Sequence, residues 1–135
     1  MVPLFVEESR SVEARGLLRN DHAMVVWWGS PVECWSALGR RRREGALGPA
    51  DERDARALLQ DLQAAWVEME PSDALRSEAD RMLSKHALRA ADALQLAAAG
   101  LWARYLPGPG PFACYDARLR EAAAAEGFLL CPAAM

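Results

Sequence analysis

The sequence predicts an α/β fold with three layers, α/β/α, in which helices cover both faces of a mainly parallel sheet. Short β-branched and aromatic runs alternate with longer segments of helical periodicity, as in parallel βα units. The chain has 135 residues, which suits one domain of ordinary size. No linker rich in glycine, serine or proline divides it, and no internal repeat is present. Residues 1–135 are therefore predicted to form a single domain.

The first half predicts two strands and three helices. Ser9–Arg19 carries apolar residues among charges and predicts a short helix, and Val25–Trp28 has the composition of a buried strand. Ser30–Glu33 has the capping-box pattern, with serine as N-cap and proline at the first helical position. This helix is expected to pass through Arg40–Arg43 and to stop at Gly45. The next elements are a helix opened by Gly48-Pro49 and a strand over Trp66–Glu70 that Pro71 ends.

The second half predicts three further helices and two strands. Ser72 or Asp73 is expected to cap the first of these helices. An apolar helix follows over Ala90–Tyr105, and the Pro107–Pro111 segment breaks it. The last predicted elements are a strand over Phe112–Tyr115, a helix that Asp116 begins and that continues to Ala125, and a strand over Phe128–Leu130.

Composition excludes several classes of protein. The chain is 52% hydrophobic and 26% charged, which is typical of globular domains and not of disordered ones. No apolar run reaches the length of about 18 residues that a membrane span requires. A net charge of −3 argues against nucleic-acid binding through bulk positive charge. Cys34, Cys114 and Cys131 lack metal-site spacing, and the start lacks a basic leader, which together predict reduced thiols in a cytoplasmic protein.

Three acidic residues lie where a strand ends or a helix begins: Glu33, Asp92 and Asp116. Ligands of open α/β sheets collect at such points. Each residue also has a purely structural interpretation. Glu33 completes a capping box, Asp116 is an N-cap, and Asp92 complements the positive end of a helix dipole.

Asp92 is the hardest of the three to explain by structure alone. Its helix is apolar nearly all round, which marks a buried helix, and Gln95 shares its face. A carboxylate at a buried surface must be paired or bound to a metal. Arg89 is close in sequence, and a cation shared with other acids is the alternative. Carboxylates without His or Cys ligands favour Mg²⁺ or Mn²⁺.

These residues, in this order, resemble a PIN-domain ribonuclease of the VapC toxin type. The most specific element is Asp92–Ala97, and Tyr115–Leu119 after a strand is moderately specific. Phe5–Glu8, Ser30–Leu38 and the Arg40–Gly45 stretch add weaker matches, so the resemblance covers nearly the whole chain.

The resemblance implies hydrolysis of RNA phosphodiester bonds with Mg²⁺ or Mn²⁺ by the toxin of a type II toxin–antitoxin pair. It implies that Glu33, Asp92 and Asp116 are the catalytic and metal-binding residues, with Asp92 a direct ligand. Glu33 and Asp116 would ligate the metal or position its water. It also implies control by a VapB-like antitoxin, and a tryptophan-rich exposed face would indicate a homodimer.

One departure from the family leaves two interpretations open. PIN domains open with a central strand that ends in an aspartate, and this sequence starts at Met1, after that position. We expect either that the protein begins upstream, which Leu4–Val6 favours, or that it is a catalytically impaired scaffold that binds an antitoxin or dimerises. Arg40–Arg43 could contact RNA phosphates, but a basic run at a helix end is more often a solvated face. The RNA-binding residues are otherwise unassigned.

Overall fold

The computed structural model describes residues 24–134 and shows a mixed α/β protein with short parallel strands. The predicted helix over Ser9–Arg19 lies outside these residues. The described elements are β1 (Val25–Trp27), α1 (Ser30–Arg43), α2 (Pro49–Ala65), β2 (Val67–Met69), α3 (Asp73–Lys85), α4 (Ala90–Ala103), β3 (Pro111–Ala113), α5 (Ala117–Ala125) and β4 (Leu129–Cys131). The predicted order of helices and strands from β1 onward is confirmed.

The described residues divide into two compact units, one formed mainly by residues 29–67 and the other by residues 25–28 and 68–134. In the first unit α1 packs against α2, with Leu38 and Leu59 fully buried. Glu52 is also buried there, and its carboxylate accepts hydrogen bonds from Arg42 at 3.5 Å and Arg56 at 3.1 Å. One member of the basic run therefore supports the helix pair.

The start of α1 differs from the prediction. Gly29, with helical backbone angles, is the N-cap, and no side chain caps the helix. The prediction of Ser30 as N-cap, and hence of a capping box with Glu33, is wrong because Ser30 is already helical and is buried. The predicted stop is confirmed. Helix α1 ends at Arg43, and Gly45 follows with φ of 75°, a conformation that glycine adopts without strain.

The strands form two parallel pairs, β1 with β2 and β3 with β4. Between β3 and β4 the register aligns Phe112 with Leu130. In the other pair Trp28 N–H donates to the Met69 carbonyl at 3.0 Å. Trp27 of β1 and Met69 of β2 pack on the same helical core as Phe112 and Leu130, so both pairs share that core.

Helix α4 supplies the centre of this core. It buries Ala93, Leu96, Ala97 and Ala98 and packs against α3 along its length. The prediction that an all-round apolar helix is a buried helix is thus confirmed. The other buried members of the core are Leu75, Ala79, Met82, Phe112, Leu119, Ala122 and Ala123.

A cluster of charges joins the end of α3 to the end of α5. The Glu126 carboxylate contacts Arg81 at 2.9 Å, Lys85 at 3.2 Å and His86 at 2.7 Å, and its side chain is only 10% exposed. Arg81 also binds Glu78 at 2.7 Å. Burial raises the pKa of Glu126, but the hydrogen bonds from Arg81, His86 and Lys85 outweigh it and lower that pKa to about 2.

We expect the second unit to lose stability as the pH falls from about 4.5 to about 2, the ordinary and folded-state pKa values of Glu126. Folding lowers this pKa, so the stabilisation is complete above the higher value and disappears towards the lower one. Urea unfolding at about pH 6 and about pH 3 measures the difference. Glu126→Gln should cost about 1–3 kcal/mol at neutral pH and reduce the acid-induced loss. Glu121→Gln, at an exposed position of α5, should change neither the stability at neutral pH nor the acid-induced loss of stability. An equal acid-induced loss in wild type and Glu126→Gln contradicts this explanation.

Candidate active site

The candidate site is an open pocket of about 300 Å³ in the second unit. Its lining comes from the start of α4 and the start of α5, so two helix N-termini meet there. The lining residues are Ala87, Arg89, Asp92, Asp116, Ala117 and Arg118. The structure therefore brings together two of the three predicted acids, Asp92 and Asp116.

Asp116 is placed by the turn between β3 and α5. It is the N-cap of α5, and its Oδ1 accepts a hydrogen bond from Leu119 N–H at 2.9 Å. Its own N–H donates to Cys114 Sγ at 3.2 Å. Burial raises the pKa of the Cys114 thiol, although this hydrogen bond acts to lower it. The structural interpretation of Asp116 as an N-cap is confirmed, and a carboxylate with one such bond retains lone pairs for a ligand.

Asp92 lies in the first turn of α4 and is half-buried. Its carboxylate accepts a hydrogen bond from the backbone N–H of Arg89, the N-cap residue. Burial raises the pKa of Asp92, and the negative charge of Asp116 raises it further, while Arg89 acts in the opposite direction. The two carboxylates are thus close enough to repel each other.

Arg89 and Arg118 complete the charged lining, and both are exposed. The sequence predicts Arg89 only as a partner for Asp92 and predicts no role for Arg118. The signal was present, because each arginine lies within three residues of a candidate acid at a helix start. The pocket thereby combines two negative and two positive side chains, a composition suited to a ligand that carries both signs.

Glu33 belongs to the first unit, whereas every residue that lines the pocket belongs to the second. It lies in the first turn of α1 and is half-buried. Its charge contributes to the raised pKa of the neighbouring Cys34, about 11, of which burial is the main cause. Of the three predicted acids, Asp92 and Asp116 therefore line the pocket and Glu33 does not.

The donor set of the pocket suits a small, hard cation. Mg²⁺ in enzymes is commonly held by one or two carboxylates, with water and substrate phosphate oxygens as its other ligands. Asp92 and Asp116 supply two carboxylates at one opening. Across residues 24–134 no group of three His, Cys, Asp or Glu side chains is arranged to hold a metal. An ion at the Asp92–Asp116 pair would need further ligands from outside the pocket lining, such as water and substrate oxygens.

No protein-family model matches the chain, and no curated protein matches it. None of the helices within residues 24–134 combines the length and apolar composition needed to cross a membrane.

We expect Asp116→Asn to lower the pKa of Asp92. Asparagine caps a helix as well as aspartate does, so α5 should remain intact and the free energy of unfolding should change by less than about 0.5 kcal/mol. The substitution removes the negative charge that raises the pKa of Asp92. Carboxyl-carbon NMR titration of Asp92 measures the effect. Asp80→Asn, at an exposed position of α3, is the matched control and should leave the titration unchanged. If Asp116→Asn also left it unchanged, the two carboxylates would not interact.

Proposed function

We propose that this protein is an Mg²⁺- or Mn²⁺-dependent endoribonuclease with a PIN-like, three-layer fold. The observation that carries the proposal is the convergence of Asp92 and Asp116 on one open pocket, where the charge of one raises the pKa of the other. Mutually repelling carboxylates at an accessible site favour a bound cation. A metal ion held there would lower the pKa of a bound water and neutralise charge on a phosphodiester.

The sequence resemblance to VapC toxins supplies the substrate class and Glu33 as the third acid. The mixed α/β architecture with short parallel strands is compatible with this resemblance. The resemblance implies that both pairs belong to one mainly parallel sheet. By the same resemblance the protein is proposed to be the toxin of a toxin–antitoxin pair.

We assign different tasks to the charged residues. Asp92 and Asp116 would ligate the metal ion, and the sequence resemblance alone implies that Glu33, which does not line the pocket, ligates it or positions its water. Arg89 and Arg118 carry the positive charge that a phosphodiester attracts. Local binding of this kind is compatible with a net charge of −3 for the whole chain.

Mn²⁺-dependent cleavage of a mixed-sequence RNA tests the proposal. We expect Asp92→Asn and Asp116→Asn each to slow cleavage by about 100-fold or more, equivalent to about 2.7 kcal/mol of the barrier. Glu33→Gln should act in the same direction, whereas Asp61→Asn, at an exposed position of α2, should not. EDTA should abolish cleavage. Cleavage that survives EDTA, or that is unchanged in Asp92→Asn, would refute the proposal.

Arg118→Gln tests the phosphate-binding role. Removing one phosphate contact should weaken RNA binding across sequences and reduce the slope of log affinity against log salt concentration by about one unit. Fluorescence anisotropy of a labelled single-stranded RNA in EDTA, over a series of NaCl concentrations, measures the slope without cleavage. The control is Arg53→Gln, at an exposed position of α2. An identical slope for Arg118→Gln and wild type would remove Arg118 from the binding surface.

A second candidate function is a catalytically impaired scaffold that binds a VapB-like antitoxin or a second copy of the chain. Val32 and Trp35 favour it, because they lie one turn apart on α1 and are 57% and 43% exposed. Exposed apolar surface of this kind commonly binds proteins. A chain that forms a stable homodimer or antitoxin complex in EDTA, and cleaves no RNA with Mn²⁺, would be such a scaffold.

A further inference from the structure

Arg120 is a buried cation on the inner face of α5. It is 7% exposed and lies four residues after Asp116, between the buried residues Leu119 and Ala122. A guanidinium at such a position is stable only if its N–H groups find acceptors. Its place among apolar neighbours therefore requires a specific set of partners.

Backbone carbonyl oxygens provide those partners. Arg120 Nη1 donates to the Cys114 carbonyl at 2.9 Å, and Nη2 donates to the Pro132 carbonyl at 2.7 Å and the Ala133 carbonyl at 3.4 Å. In the part of the chain that the structure describes, each of the Arg120 hydrogen bonds goes to a carbonyl. The guanidinium thus connects the turn after β3 with the segment after β4.

Cys114 is the point at which this connection reaches the pocket. Its N–H donates to the Cys131 carbonyl at 3.1 Å, its carbonyl accepts from Arg120, and its Sγ accepts from Asp116 N–H at 3.2 Å. The residue that precedes Asp116 by two positions is therefore fixed through its N–H, its carbonyl and its side chain. Two of these three contacts hold it to residues 131–133, either directly or through Arg120.

We propose that Arg120 is a positioning residue for the Asp92–Asp116 pocket. By holding the Cys114 carbonyl, it fixes the turn that orients the Asp116 carboxylate, and it makes Pro132 and Ala133 part of the support of the site. The inference rests on the proposed function in one respect, namely that the oriented carboxylate binds a divalent metal ion. Arg120 is not proposed to contact RNA, since the residue is buried and its donors are directed to backbone carbonyls of this chain.

A role in stability alone is the competing explanation. Any buried arginine supports the fold, and its loss lowers the melting temperature whether or not it orients Asp116. The two roles differ in what happens while the protein remains folded. A positioning role changes the order of the Asp116 turn and the affinity for metal, whereas a purely structural role changes neither.

Three measurements on the full chain separate these roles in Arg120→Gln and Arg120→Lys. They are thermal unfolding, hydrogen exchange at the Asp116 and Leu119 amides, and Mn²⁺ affinity by electron paramagnetic resonance well below the melting temperature.

We expect both amides to exchange at least several-fold faster in Arg120→Gln while amides of α3 and α4 keep their protection. Mn²⁺ affinity should fall by about 10–100-fold, the usual effect of removing a residue that orients a ligand. In Arg120→Lys, the exchange rates of both amides and the Mn²⁺ affinity should lie between those of Arg120→Gln and those of the wild type. Arg76→Gln, whose arginine is 85% exposed beside Asp73, should match wild type.

Unchanged exchange at Asp116 and Leu119 in Arg120→Gln would overturn the inference, as would wild-type Mn²⁺ affinity in that variant. If Arg120→Gln does not fold, Arg120→Lys takes its place, because lysine keeps the positive charge but cannot donate to the Cys114 and Pro132 carbonyls from two separate nitrogens, and the same two outcomes decide. If the wild-type chain binds no Mn²⁺, the proposed function fails and the exchange measurement alone decides the role of Arg120. The two failures are therefore distinguishable.

Discussion

Close packing of α4 against its neighbours is the constraint on which the second unit depends. This helix buries one face against α3, and its contacts with β1 and α5 place it at the centre of the core. Its N-terminus carries Asp92, and the N-terminus of α5 carries Asp116. The packing of apolar residues therefore determines where two carboxylates meet. The positive ends of both helix dipoles reduce the cost of bringing the negative charges together.

If the pocket binds a metal ion and a phosphodiester, as proposed, its charges favour joint binding of the two. Asp92 and Asp116 balance Arg89 and Arg118, so a divalent cation alone would leave an excess of positive charge. A phosphodiester at the arginines would reduce that excess. Each ligand would then strengthen the binding of the other, and by thermodynamic linkage the effect would be equal in both directions. Substrate would thus raise the affinity for the metal ion above that of the protein alone.

Much of the fold could be predicted from local signals. The Pro and Gly positions, together with the change from alternating to helical periodicity, located the described elements to within a few residues. Ser72 or Asp73 is expected to cap α3, and the structure shows Ser72 as the N-cap. Its Oγ accepts a hydrogen bond from Leu75 N–H at 3.1 Å. The error at Ser30 has a local cause, since the chain already has helical angles at Gly29 and the serine is carried into the helix. Short motifs indicate that a helix begins but do not determine which residue caps it.

The candidate site was less predictable than the elements that carry it. Asp92 and Asp116 stood out because acids follow a strand or interrupt an apolar helix, and that signal requires no knowledge of tertiary contacts. The supporting residues did not stand out. Arg120 and Glu126 acquire their roles from partners that reach 45 residues away in sequence, and such pairings exist only in the folded chain. A single sequence therefore indicates candidate ligands more readily than the groups that hold them in place.

The small size of the side chains at the centre of the core determines which changes it tolerates. Ala93, Ala97 and Ala123 are each completely inaccessible to solvent, so backbone and neighbouring groups approach them closely. Truncating alanine removes only one methyl group, whereas an added methylene at such a position has no space to occupy. In most cores the costly substitutions make a large residue small. At these three alanines the costly direction is reversed, and even valine would have to push the neighbouring groups apart.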